Sequence, residues 1–140
     1  MTIQKLPHAF AQEPRKLFLL DGIGAIISAL FLGVVLYQFE TFFGMPRPAL
    51  VPLAGAAVGF AIFSLTCAAL QPKNWRIFVR LIASFNFIYA VVTFVILIRG
   101  NHPLTPFGIV YFVNELIILA AIITLELKTA AIPQTENPTR

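Results

Sequence analysis

Four stretches of the chain are almost unbroken in apolar side chains: Leu17 to Phe39, Ala49 to Leu70, Ile77 to Ile98 and Leu104 to Leu127. Polar and charged residues gather in the short segments between them and at the two ends. Each stretch has the ~20 residues needed to cross a hydrocarbon layer ~30 Å thick. Lipid offers no water to complete the backbone's hydrogen bonds, so each stretch is predicted to be a helix. The connections are short, which forces neighbouring helices to run antiparallel. The pattern predicts an all-α fold, a membrane-spanning antiparallel four-helix bundle over residues 17–127. A polar tail occupies 1–16 and a disordered tail 128–140.

Punctuation residues sharpen the boundaries. Thr105-Pro106 reads as an N-cap followed by proline at the first helical position, where the missing N–H costs nothing. Asn74 is placed to cap the third helix, Gly100 to end it, and Pro72 to stop the second. Pro46, Pro48 and Pro52 stiffen the first loop and the entry to the second helix. The first apolar run is too long for a signal-peptide core, contains Asp21 and lacks a small-residue cleavage site. It is expected to stay as an anchor.

Composition fits the same picture. Of 140 residues, 59% are hydrophobic and 11% charged, against roughly 25% charged in an average soluble domain. The net charge of +4 would suggest nucleic acid in a soluble protein. Here the basic residues flank the apolar runs, so topology accounts for them and no nucleic-acid partner is expected. Eight of the ten Lys and Arg lie on the side that carries both termini and the second connection, and only Arg47 and Arg99 lie opposite. The positive-inside rule then puts both termini in the cytoplasm, in a bacterial inner membrane. The single cysteine, Cys67, excludes an intramolecular disulfide and a thiolate metal site, and is expected to pack as a small hydrophobe. No metal or cofactor is expected.

Charge inside a membrane is the first place to look for function, because each such group must be paired, hydrogen-bonded or neutral. Asp21 lies four residues into the first stretch and Arg80 three residues into the third, both counted from the same side. Their matched depth, ~5–6 Å at 1.5 Å per residue, predicts an Asp21–Arg80 ion pair, with Arg76 or Glu126 nearby. Glu115 is different. It is twelve residues from one end of its stretch and eleven from the other, near the bilayer midplane, where it cannot reach the headgroups. Asn86 and Tyr89, ~14 and ~18 Å into the third helix, and Ser28, ~17 Å into the first, come to similar depth. Glu115, Asn86, Tyr89 and Ser28 are thus a candidate intramembrane polar site. It serves either as a buried network fixing helix register or as a protonatable or ligand-binding site. Small residues mark packing faces: Asp21, Ala25, Ser28 and Leu32 with Gly24 beside them, then Gly55 and Gly59, and Ala57, Ala61, Ser64 and Ala68. They serve either intrachain packing or dimerisation.

Together "LFLLDGIGA", "FFGMP", "NWR" and "YFVNEL" resemble small, uncharacterised four-helix integral membrane proteins of bacteria. That resemblance covers most of the chain and implies no activity, cofactor or site residue. Small multidrug transporters are also four-helix proteins of similar size. Their essential carboxylate lies near the midplane of the first helix, whereas here the midplane acid is Glu115 in the fourth. No catalytic motif, metal cluster or paired carboxylates at one depth is read from the sequence, so no enzyme chemistry is expected. The leading expectation is a structural or accessory inner-membrane protein, or a partner of a larger membrane complex. The alternative is a small oligomeric transporter or ligand-binding protein using Glu115 as a protonatable site. Burial of Glu115 beside Asn86 and Tyr89, next to a wet cavity, would favour that alternative.

Overall fold

A computed structural model describes residues 3–133; residues 134–140 of the expected C-terminal tail lie outside the described residues. A 3-10 turn over Ile3–Lys5 leads into a short helix α1, Leu6–Gln12. The first long helix, α2, spans Pro14–Gln38. A one-turn helix α3, Glu40–Phe43, follows. Then come three more long helices, α4 (Arg47–Leu70), α5 (Trp75–Arg99) and α6 (Pro106–Ala131). No strand occurs among the described residues. The fold is all-α, and α2, α4, α5 and α6 are each long and apolar enough to cross a membrane.

Large apolar side chains such as Ile62, Phe87, Val110 and Ile117 point outward and are exposed. A water-soluble bundle would bury such residues, whereas lipid is as apolar as they are. The chain is a multi-pass membrane protein.

The tails depart from expectation. Part of the polar N-terminal stretch folds as α1 and packs on the closing turns of α6. That cover lets α6 run on past Leu127 to Ala131, with Thr129 and Ala130 buried. Proline sets the starts of α2, α4 and α6, where each has one in its first two positions. Gln71, in the left-handed region at φ 46°, closes α4 just before Pro72. Asn74 sits at the start of α5, but its side chain makes no capping hydrogen bond. Thr105 does cap α6, its Oγ1 accepting from the Gly108 N–H at 3.2 Å.

That cap belongs to a lock at the end of the bundle away from the termini. Thr105 Oγ1 donates to the Phe42 carbonyl and the Thr105 N–H to the Phe43 carbonyl. Gly108 passes so close to the Phe43 carbonyl that a Cβ would collide with it. Gly44 takes φ +77°, the left-handed turn that lets α3 end there. Arg47 ion-pairs with Glu40 at 3.2 Å and lies over the Tyr37 ring.

Inside the bundle, α2 packs closely along α4, and α5 along α6, while the backbones of α2 and α6 scarcely approach each other. Gly22 against Leu65 and Gly33 against Ala54 bring α2 and α4 together. Ala57, Ala61, Ser64 and Ala68 form the buried face of α4. Gly55 and Gly59 are exposed, with open space where a side chain would be. Two apolar clusters fill the ends. One joins Leu17, Phe18, Cys67, Ala68, Val79, Ile82 and Ala130 near the termini. The other joins Leu32, Leu36, Met45, Leu50, Leu53, Tyr89 and Phe112 at the far end. The polar residues of the membrane interior lie between them.

Candidate intramembrane site

Two polar layers occupy the middle of the bundle. The layer nearer the termini takes one residue from each long helix: Asp21 (α2), Ser64 (α4), Asn86 (α5) and Glu126 (α6), all buried. Ser64 Oγ donates to Asp21 Oδ2, and Asn86 Nδ2–H donates to Asp21 Oδ1 at 2.8 Å. The carboxylate of Asp21 thus has a donor on each oxygen. Glu126, 1% exposed, is set against Asp21 and Asn86, and its Oε2 has no hydrogen-bond partner.

The second layer lies deeper. Glu115, 6% exposed, accepts from the Tyr89 hydroxyl at 3.4 Å, with Ser28 from α2 facing it. Its Oε2 has no partner, and neither has the Oγ1 of the fully buried Thr93 one helical turn beyond Tyr89. Tyr111 lies beside Glu115 and stacks on Phe31 across the α2–α6 seam, ring centroids 5.9 Å apart.

A cavity of about 80 Å³ joins the layers. Its wall includes Asp21, Ser28, Phe60, Asn86, Tyr89 and Glu115. Gly24 and Ala25 leave the space on the α2 side, and Ile118, Leu119 and Ile122 close it on the α6 side. A water needs ~10–15 Å³ of such volume, so several fit, and the unpartnered oxygens give them something to bond.

All four residues of the expected site, Glu115, Asn86, Tyr89 and Ser28, line this one cavity. The pairing inside it differs from expectation: Asn86 bonds Asp21, and Tyr89 alone donates to Glu115. The expected Asp21–Arg80 ion pair is not formed. Arg80 is exposed, and no basic side chain among the described residues lies within 4.0 Å of Asp21, Glu115 or Glu126. Equal residue counts did not give equal levels: Asp21 bonds Asn86, which lies six residues, ~9 Å, further along α5 than Arg80, and helix phase turns Arg80 to a different face. The buried stripe of α5 is Val79, Ile82, Ala83, Asn86, Tyr89 and Thr93, and Arg80 lies beside that stripe, toward lipid. Depth counting put Glu126 near Asp21 but did not read the two carboxyls as one buried layer. The signal was available, because Glu126 is eleven residues, three full turns, from Glu115 and so on the same face of α6.

No group of three or more His, Cys, Asp or Glu side chains is arranged to hold a metal ion among the described residues. No protein-family model, curated protein or solved structure matches the chain, so the chemistry of the site is read from its own geometry.

Proposed function

We propose that the protein is a small membrane transporter or binding protein whose site is the cavity between α2 and α6, and whose ligand is a small organic cation. The observation that carries this reading is the cavity wall: two carboxyls, Asp21 and Glu115, the aromatic rings of Phe60 and Tyr89, and no basic residue among the described residues. Carboxylates supply charge, and aromatic faces attract ammonium and guanidinium groups, by ~2 kcal/mol where water is excluded. Asp21 has its two donors already. Glu115 has one long hydrogen bond and a free oxygen, so Glu115 is the group that meets the cation. A neutral Glu115 has no charge to offer, so a proton and the cation compete for it and occupancy falls on acidification. We place both termini in the cytoplasm of a bacterial inner membrane, on the strength of the basic asymmetry, and assign the chain no enzymatic reaction.

The test uses the full chain in lipid nanodiscs and two permanently charged probes, tetramethylammonium and guanidinium. Calorimetry should record saturable binding that weakens at low pH and is lost in Glu115→Gln, while the circular-dichroism melt of that variant stays near wild type. Equal binding by wild type and Glu115→Gln would exclude the proposal.

A further inference from the structure

Glu126 has no part in the cavity wall, yet it is the most deeply buried acid among the described residues. It stands five residues, ~7.5 Å, from the last residue of α6 and ~16 Å along the same face from Glu115. Between the two acids lie Asp21, the cavity and Ser28. The two ends of this line, Glu126 Oε2 and Glu115 Oε2, are buried side-chain oxygens without a partner, and Thr93 Oγ1 is a third beyond Glu115. Buried polar atoms in native proteins almost always have a partner, in the protein or in water. Unpartnered oxygens at both ends of the line, with a cavity of water size between them, point to bound water along it.

We infer that Glu126 and Asp21 form the entry of a proton relay that loads and unloads Glu115 from the side of the membrane bearing the termini. This deepens the cation-binding reading and rests on it for the role of Glu115. No basic side chain among the described residues lies within 4.0 Å of the pair, so two ionised carboxylates there repel and one proton shared between them relieves that repulsion. Asp21 has donors on both oxygens and Glu126 has none on Oε2, so the resting proton belongs to Glu126. The groups that face this pair are Ser64 from α4 and Asn86 from α5, neither of which titrates; Tyr89 and Tyr111 face Glu115.

The transfer balances without any further reactant. The Glu126 carboxyl gives its proton to the Asp21 carboxylate. Asp21 hands it to a cavity water, and that water delivers a proton to the Glu115 carboxylate. Each hop breaks one O–H bond and forms another, and Glu126 is reprotonated from the aqueous phase at its end of α6. Asn86 and Ser64 hold Asp21 in place and carry no proton. Ile122, on the cavity wall between the acids, sets the width of the water-filled part.

The relay is tested by its own readout, the rate at which Glu115 takes up a proton after a rapid pH drop. Time-resolved infrared spectroscopy follows the carbonyl stretch that Glu115→Gln removes, on the full chain in nanodiscs without any cation ligand. Glu126→Gln should slow the uptake about a hundredfold, within the range of a lost acid–base group. The final extent of protonation should persist, and tetramethylammonium binding should be retained. Should that variant fold poorly, Ile122→Phe keeps both acids and narrows the water path, and should slow uptake as well. Wild-type uptake in either folded variant overturns the relay. Loss of cation binding in wild type with a relay intact would sink the ligand proposal alone, so the two failures are distinguishable.

Discussion

Asn86 Nδ2–H donates to Asp21 Oδ1 at 2.8 Å, and that bond ties α5 to α2, two helices whose backbones make little contact. It determines both polar layers. Asp21 gains its second donor, beside Ser64. Glu115 loses the amide that depth alone would assign to it and is left with one hydroxyl. Of the three buried carboxyls, Asp21 is bonded at both oxygens, while Glu115 and Glu126 each keep one oxygen without a partner.

The first prediction follows for stability. Asp21→Ala and Asn86→Ala should each destabilise the protein in detergent, by about 1–2 kcal/mol, since each strands a buried polar partner. The double mutant should cost less than the sum of the two. A double-mutant cycle by denaturant titration should return a coupling near ~1 kcal/mol, the upper part of the range for hydrogen bonds in membranes. Arg80→Ala should stay within ~0.5 kcal/mol of wild type, as expected of an exposed side chain. A coupling between Asp21 and Arg80 as large as that between Asp21 and Asn86 would contradict the assignment.

The far end of the bundle gives the second prediction. A methyl group on Gly108 meets the Phe43 carbonyl, and one on Gly44 meets the Pro103 carbonyl in a backbone already at positive φ. These neighbours are backbone atoms and cannot swing aside. Gly108→Ala and Gly44→Ala should each cost more than about 2 kcal/mol. Gly55→Ala and Gly59→Ala, with open space around them, should leave the melting temperature of the monomer unchanged. A melt of Gly108→Ala at the wild-type temperature would show that the α3–α6 contact is not fixed.

Much of this was legible in the sequence. Apolar run length predicted four helices to within a few residues, and Thr105-Pro106 gave the start of α6. The four residues of the candidate site do meet at one cavity. Three things were not legible. Folding of α1 depends on a surface that only the finished α6 provides, so local polarity read as a tail. A π-turn over Phe31–Val35 shifts the face of α2 in its last third, which uniform 3.6-residue counting cannot anticipate. Partner choice depends on helix rotation and on how the helices are offset along their axes, and here the stripe Val79, Ala83, Asn86 rather than the counted depth of Arg80 carried the information.

The third prediction concerns topology, motivated by the basic asymmetry along the chain. In a Cys67→Ser background, Thr41→Cys and His102→Cys, both exposed at the far end, should react with a membrane-impermeant thiol reagent in intact cells. Lys73→Cys, exposed at the opposite end, should react only after lysis. Met45 would be a poor probe of the same loop because it is fully buried. Labelling of Lys73→Cys alone in intact cells would reverse the orientation, and with it the side from which the relay is loaded.

The last prediction separates what the fold needs from what the site needs. Asp21 has two donors, so its removal leaves unpaired groups behind. Glu115 has one bond of 3.4 Å, longer than the usual hydrogen bond, and an oxygen with no partner. Such a group adds little to stability, and replacing a poorly bonded polar side chain by an apolar one of similar shape is often neutral or favourable. Glu115→Gln and Glu115→Leu should therefore melt at or above the wild-type temperature. Tyr89→Phe, which loses only that long bond, should fall by less than ~0.5 kcal/mol. The same Glu115 variants should lose tetramethylammonium binding entirely, because neither carries a charge. A Glu115→Leu protein destabilised by more than about 1.5 kcal/mol, in the way Asp21→Ala is, would mean that Glu115 holds the bundle together and that its place at the midplane is structural.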